Sequence, residues 1–370
     1  MPSGLELTPV HLRAPRAEEY SRLPRVLWAA GEAAQLAVLA GLVAAGPWLA
    51  RRLRWGVVVL LAVLAALWLV RLPFGVTLHW WQRRYGLTRQ SYLGWVFDPW
   101  LELIAGVAVA CVVLVVAMAL ARRLGRRWWL AGGPALAVLG AAAILLQPFV
   151  LVPRLEPLRD RALAGEIRQL GTRLGVRPRD VEVEDVSDRT TRINAAVAGY
   201  GPTRKVILWS TLLERDVPRA EVRFVAAHEL AHVTRRHVWK GVAWFALLAT
   251  PIAFVVAQAT RRRGGLGEPA AVPLAALALV AIELALLPLA NAVSRRYEAE
   301  ADWVALQATR DPAAARGLFE RFATANLASP SPPTWSYLFL GSHPSLDRRI
   351  AMAEAWARLS ARRAGSRAGS

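Results

Sequence analysis

The sequence is poor in cysteine, in lysine and in acidic residues to balance its basic ones. One cysteine, Cys111, stands among 370 residues, which excludes an intramolecular disulfide and leaves the redox compartment open. Cys111 lies in an apolar run, where packing or lipid contact explains it. Only Lys205 and Lys240 are lysines, so arginine carries nearly all of the basic charge.

The basic excess gives a formal net charge of +19 at pH 7. No helix-turn-helix, zinc-finger or RNA-binding motif accompanies the arginines, which are scattered over loops and hydrophilic segments. The charge therefore predicts a surface that faces anionic lipid headgroups, with no nucleic acid as a partner.

Apolar residues are abundant, at 55% of the chain, with a mean hydropathy of +0.32. Soluble domains usually contain about 45–50%. Six runs are long enough to cross a bilayer, and they cover residues 26–50, 55–76, 99–121, 128–152, 238–259 and 269–293. Residues 1–25 carry charges of both signs and show no cleavage site, so the first run is expected to remain as an anchor. The sequence therefore predicts a multi-pass membrane protein that crosses the bilayer as α-helices.

Six spans put both termini on one side of the membrane, together with the hydrophilic segments 153–237 and 294–370. Counting basic residues near the spans favours the cytoplasm for that side, although the opposite loops also carry arginines. The arginine bias indicates a bacterial origin. The predicted location is a bacterial cell membrane, with the hydrophilic segments in the cytoplasm.

The pentapeptide HELAH, residues 228–232, is the most specific motif. On a helix, His228 and His232 are one turn apart and face the same way, so both can bind one metal ion. Glu229 then lies about 100° around the axis, where a base for an activated water belongs. Composition alone predicts roughly 0.005 such motifs in a chain of this kind. The motif predicts a zinc hydrolase with one Zn²⁺ per chain.

A catalytic zinc needs a third protein ligand. His237 would lie about 140° from His232 on a continuous helix, so it is predicted to point away from the metal. His11 and His79 belong to distant segments and are weak candidates.

The acid-rich stretch after the last run offers a stronger candidate. Glu298 and Asp302 are four residues apart and share a helical face, while Glu300 is turned away. One of the pair could bind the metal while the other orients a ligating histidine. The alternative is an ordinary charged helix surface paired with nearby arginines.

The hydrophilic segments predict a small α/β unit between membrane helices. The expected elements are a helix over 158–174, strands over 181–186, 193–198 and 205–209, and helices over 291–309, 312–326 and 345–360. A further helix is predicted from Asp216 and Pro218 through HELAH, continuous with the fifth apolar run. The predicted domains are an N-terminal membrane domain of four spans, residues 1–152, and a metalloprotease domain, residues 153–370, whose end, 360–370, is disordered.

The chain resembles the CAAX prenyl protease 1 family, integral membrane zinc metalloproteases of the HEXXH type, along nearly its whole length. The shared motifs are specific because of their order and spacing along the chain. Besides HELAH, they are Arg84-Tyr-Gly-Leu-Thr-Arg-Gln90, Asn194-Ala195 with Gly199, Lys205-Val-Ile-Leu208 with Thr211-Leu-Leu213, Arg296-Tyr-Glu-Ala-Glu-Ala-Asp302, and Ser342-His-Pro344 with Arg349-Ile350. Eukaryotic members have seven spans, whereas six are counted here.

The resemblance implies a role for each matching residue. It implies that His228, His232 and Glu298 bind zinc, that Glu229 is the catalytic base and that Asp302 supports a histidine ligand. For the remaining positions it implies a catalytic contribution from His343 and substrate binding by Asn194, Ala195 and Arg349. The alternatives are that Asn194 is an ordinary turn or strand-end asparagine and that His343 is an ordinary loop histidine.

The predicted fold is therefore mainly α: a polytopic membrane protein of about six spans with a small α/β zincin-like metalloprotease domain at the membrane edge. The predicted activity is a zinc metalloendopeptidase acting on a peptide or protein substrate, lipidated or membrane-embedded. A quality-control protease like the bacterial heat-shock membrane proteases is one alternative. A zinc-stabilised scaffold or transporter is another, disfavoured because a structural zinc needs no base.

Overall fold

A computed structural model describes residues 7–150, 154–214 and 217–368 of the chain. Asp216, one of the two residues predicted to mark a helix start, lies outside these ranges. Within them, six helices are long and apolar enough to cross a membrane, which confirms the predicted multi-pass architecture.

The first five helices account for four of these segments. They are α1 (Pro15–Leu53), α2 (Gly56–Arg84), the short α3 (Tyr92–Phe97), α4 (Trp100–Leu124) and α5 (Trp129–Val150). The other two spanning helices are α9 (His237–Thr260) and α10 (Val272–Thr309). At about 1.5 Å per residue, the 38 residues of α10 measure roughly 57 Å. Since the hydrocarbon core is about 30 Å thick, the last turns of α10 extend beyond the bilayer.

A four-stranded sheet follows the fourth span, in the order β1-β2-β4-β3. The strands are β1 (Leu155–Pro157), β2 (Asp180–Glu184), β3 (Ala195–Ala198) and β4 (Lys205–Trp209), and only β1 was not predicted. The pair β2–β4 is parallel, while β3 runs antiparallel to β4 with Ala195 opposite Leu208. The strand β3 therefore forms one edge of the sheet.

The loop before β3 is tied to the end of α2. The Oγ of Thr191 donates to the carbonyl of Gly86 at 2.7 Å, and the Thr191 amide donates to the Leu87 carbonyl at 3.0 Å. Gly86 has a φ of 73°, which glycine adopts without steric cost. The segment of the Arg84–Gln90 motif thus fixes the approach to the edge strand.

Helix α6 (Arg161–Arg173) and the short α7 (Ser210–Glu214) flank the sheet, and α8 (Arg219–Thr234) carries HELAH. The predicted continuity of α8 with the fifth span is wrong, because the helix breaks at Arg236. That residue adopts left-handed backbone, with a φ of 55°, before α9 begins at His237. No glycine or proline marks the break, so local sequence could not predict it.

Three helices complete the fold: α11 (Pro312–Ala325), α12 (Thr334–Leu340), which was not predicted, and α13 (Leu346–Ala368). The core joins α8, α10, α11 and α13, with Phe224 edge-on to Phe319 at 5.8 Å and Ile350 completely buried. Helix α13 continues into 360–370, where the sequence predicts a disordered end.

Candidate metal centre and cleft

Helix α8 presents both HELAH histidines to one point. Because the residues are one turn apart, the Nε2 atoms of His228 and His232 approach to 3.1 Å. Helix α10 brings Glu298 against them, with Oε2 3.2 Å from His228 Nε2 and Oε1 3.4 Å from His232 Nε2. One ligand atom from each residue lies within 4.8 Å of the others.

The chemistry of this cluster fits a metal ion. Glu298 Oε2 is buried but makes no hydrogen bond, although ring nitrogens lie 3.2 Å away. Two imidazoles and one carboxylate leave a fourth position open, which is the donor set typical of catalytic zinc.

Asp302 lies on the same face of α10 as Glu298 and is completely buried. Its Oδ1 lies 2.8 Å from His228 Nδ1, so His228 can direct Nε2 at the cluster. Arg349 of α13 donates from Nε to Oδ2 at 2.8 Å and from Nη2 to Oδ1 at 2.7 Å. The Arg349 side chain also lies over the Phe319 ring at 4.3 Å. Its predicted contact with substrate remains a prediction, while its contact with Asp302 was not foreseen.

His237 does not point away from the site, contrary to the expectation for a continuous helix. Because the helix breaks at Arg236 and a new helix begins at His237, His237 Nδ1 lies 2.9 Å from His232 Nδ1. Its other ring nitrogen lies 3.0 Å from Glu300 Oε2. His237 is 6% exposed, so its ring is shielded from solvent.

Burial and mutual charge set the protonation of the α8 residues. Burial opposes the charged form of His228, but the hydrogen bond and charge of Asp302, with those of Glu298, raise its pKa to about 10. Burial and the neighbouring His228 charge lower the pKa of His232 to about 3. Burial raises the pKa of Glu229 to about 7, against the opposing charge of His228. A carboxylate with a pKa near neutrality is suited to accept and return a proton.

A cavity of about 540 Å³ opens beside the cluster. His343 lies at its wall with Nε2 3.2 Å from Glu298 Oε2, and its Nδ1 is 3.0 Å from Ser342 Oγ. Asn194 lines the same cavity, as does Arg349. Ala195, by contrast, is buried at the start of β3 and does not line the cavity wall.

Comparison with known proteins places this site in a family. The model of peptidase family M48 matches residues 157–357, which is more than half of the chain. The chain belongs to peptidase family M48. The match includes strands β2, β3 and β4, the HELAH helix and the cluster ligands.

Individual relatives agree with the M48 assignment and confirm the predicted resemblance. An uncharacterized metalloprotease, YhfN of Bacillus subtilis (strain 168), is 27% identical over 283 residues, or 73% of this chain and 66% of that protein. A CAAX prenyl protease 1 homolog of Oryza sativa subsp. japonica is 25% identical over 242 residues, or 60% of this chain and 57% of that protein. The chain thus spans less than two thirds of the length of either relative.

The crystal structure of S. mikatae Ste24p has the same fold. It superposes with a TM-score of 0.68 at 21% identity and covers 80% of this chain and 74% of that one.

One residue that lines the cavity was missed from the sequence. Asn326 follows α11, accepts from the Ile193 amide at 2.9 Å and donates to the Ile193 carbonyl at 3.0 Å. This paired contact holds the segment that leads into Asn194 and β3. A lone asparagine 133 positions away carries no local signal of such a contact.

Proposed function

We propose that this M48 protein is an integral membrane zinc metalloendopeptidase with one Zn²⁺ per chain. The observation that carries the proposal is the convergence of His228, His232 and Glu298 on one point, with Glu229 on the same helix as the two histidines. We assign the first three residues as zinc ligands and Asp302 as the residue that orients His228.

Zinc, when bound, supplies a Lewis acid that makes a water nucleophilic near neutral pH and polarises a carbonyl. Glu229 accepts the proton of the attacking water and later donates it to the departing amine. His343, at the cavity wall, donates a hydrogen bond to the oxygen that becomes negative during attack.

The edge strand supports a mode of substrate binding. The β4 side of β3 is already paired, and the Asn194 carbonyl accepts from the Trp209 amide at 3.1 Å. We propose that an extended peptide aligns with the free edge of β3 at Asn194 and Ala195, a form of β-augmentation. Arg349 would act on substrate only at the cavity wall, since its guanidinium is bound to Asp302.

The substrate we propose is a lipidated or membrane-embedded peptide or protein, cleaved on the cytoplasmic side of a bacterial cell membrane. The extension of α10 beyond the bilayer supports a site at the membrane edge, within reach of anchored substrates. The similarity to a CAAX prenyl protease 1 homolog supports the lipidated class. The second candidate is a quality-control protease for membrane proteins, since the YhfN relative is a metalloprotease of no stated substrate.

The test uses full-length protein in bilayers with zinc measured on each sample. Wild type is compared with Glu229→Gln, and with Glu156→Gln as a control at an exposed glutamate of β1. Each is offered a prenylated peptide, its unprenylated form and an unfolded membrane protein. We expect cleavage by wild type and the control only, with the prenylated peptide preferred. Preference for the unfolded protein would favour quality control, and zinc binding without any cleavage would favour a scaffold.

A further inference from the structure

The break between α8 and α9 brings a second carboxylate–histidine pair to the metal cluster. His237 is the first residue of α9, and its ring lies between His232 and Glu300. The two contacts use opposite ring nitrogens: Nδ1 faces His232 Nδ1 at 2.9 Å, and Nε2 faces Glu300 Oε2 at 3.0 Å. A continuous line of polar contacts therefore runs from Glu300 through His237 to the outer nitrogen of His232.

Metal binding permits only one arrangement of protons along this line. If His232 binds through Nε2, its remaining proton is on Nδ1, and that N–H must donate to His237 Nδ1. His237 Nδ1 is then the acceptor, so its proton is on Nε2 and donates to Glu300. The reverse direction would put a proton on His232 Nε2, the atom that faces Glu298, and would block the metal.

The surroundings hold Glu300 ionised and the His237 ring in place. Arg235 and Lys240 both pair with the Glu300 carboxylate, Lys240 at 3.4 Å. The His237 ring stacks on Tyr297, with centroids 4.5 Å apart and planes 10° apart. The ring can therefore rotate little, and an ionised acceptor fixes its tautomer.

We infer that His237 and Glu300 are positioning residues that fix the tautomer and ring orientation of His232 for zinc. They act on His232 as Asp302 acts on His228, with one imidazole interposed. Carboxylates that hold metal-binding histidines typically contribute 10- to 100-fold in metal affinity or activity. The inference rests on the proposed zinc site, and neither residue is itself a ligand, since the cluster comprises His228, His232 and Glu298.

Zinc affinity of the full-length protein tests this role. Competition with a chromophoric chelator at one pH compares wild type, His237→Ala, His237→Gln and Glu300→Gln. His11→Gln is the control, because that side chain is 89% exposed. Glutamine can accept from His232 through its oxygen and donate to Glu300 through its nitrogen. The melting temperature of each zinc-stripped protein separates positioning from packing.

We expect His237→Ala to weaken zinc binding about 10- to 100-fold, His237→Gln to recover most of that loss and Glu300→Gln to fall between. The zinc-stripped melting temperatures of wild type, His237→Gln and Glu300→Gln should agree. Unchanged zinc affinity in His237→Ala would overturn the inference. So would an equal loss in the alanine and glutamine variants together with a lower melting temperature, which indicates packing alone. A wild type that binds no zinc would instead overturn the proposed function.

Discussion

Substitution of Arg349 by methionine separates a structural role from the substrate contact that family resemblance implies. Arg349 is 5% exposed and donates two hydrogen bonds to Asp302, which is completely buried. Methionine keeps an apolar stem beside Phe319 but removes both donors and the charge. The Asp302 carboxylate would then be buried with His228 as its remaining partner among the contacts described above.

Breaking a buried ion pair from one side costs roughly 3–5 kcal/mol. In a domain of 150–250 residues each kcal/mol shifts Tm by about 2–4 °C. Arg349→Met is therefore expected to lower the melting temperature by roughly 6–20 °C. Replacing both partners, as Arg349→Met with Asp302→Leu, removes the carboxylate that has lost Arg349 and should recover part of that loss, because His228 in turn loses its contact with Asp302. The double variant should still bind zinc weakly, because His228 loses the carboxylate that orients it.

The assay is thermal unfolding of zinc-stripped protein in detergent, with zinc affinity measured on the same samples. Arg348→Met is the matched control, because the neighbouring Arg348 is exposed. A double variant that regains stability but not zinc affinity would show two separate effects: the Arg349–Asp302 ion pair stabilises the fold, and Asp302 orients His228 for zinc. An Arg349→Met protein with normal melting and zinc binding but a raised KM would refute this reasoning and make Arg349 a substrate-binding residue.

Two further outcomes follow from the site. The pKa of His228 is raised to about 10 and that of His232 is lowered to about 3, so zinc must displace one proton, from His228. Zinc affinity should therefore rise with pH between about pH 6.5 and 8.5, by up to about tenfold per pH unit, and a flat competition titration would contradict this. Asn326→Ala leaves the Ile193 amide and carbonyl unpaired, at a cost of about 1–3 kcal/mol for each group. Its melting temperature should fall and its KM rise, and neither would change if Ile193 is held otherwise.

Much of the architecture follows from local patterns. Long apolar runs predict the six spans because the bilayer sets the required length. The strand at 205–209 is found where a short apolar run with β-branched residues predicts it. Spacing four residues apart put Glu298 and Asp302 on one face, and both contact His228.

The failures concern contacts between distant segments and one unmarked turn. The left-handed residue after α8 is Arg236, so the sequence has no glycine or proline that would indicate the break. The contacts that depend on this turn, above all that of His237 with His232, could therefore not be predicted. The pairing of Arg349 with Asp302 crosses 47 residues and depends on how α13 packs against α10. Periodicity within one helix contains no information about such a contact.

The central claim is that Glu229 acts as the base beside a zinc held by His228, His232 and Glu298. The most direct measurement is peptide-bond cleavage by zinc-loaded Glu229→Gln protein in bilayers, with metal content determined on the same preparation. Our account predicts a full complement of one zinc per chain and loss of cleavage. Cleavage at the wild-type rate by the zinc-loaded variant would contradict it.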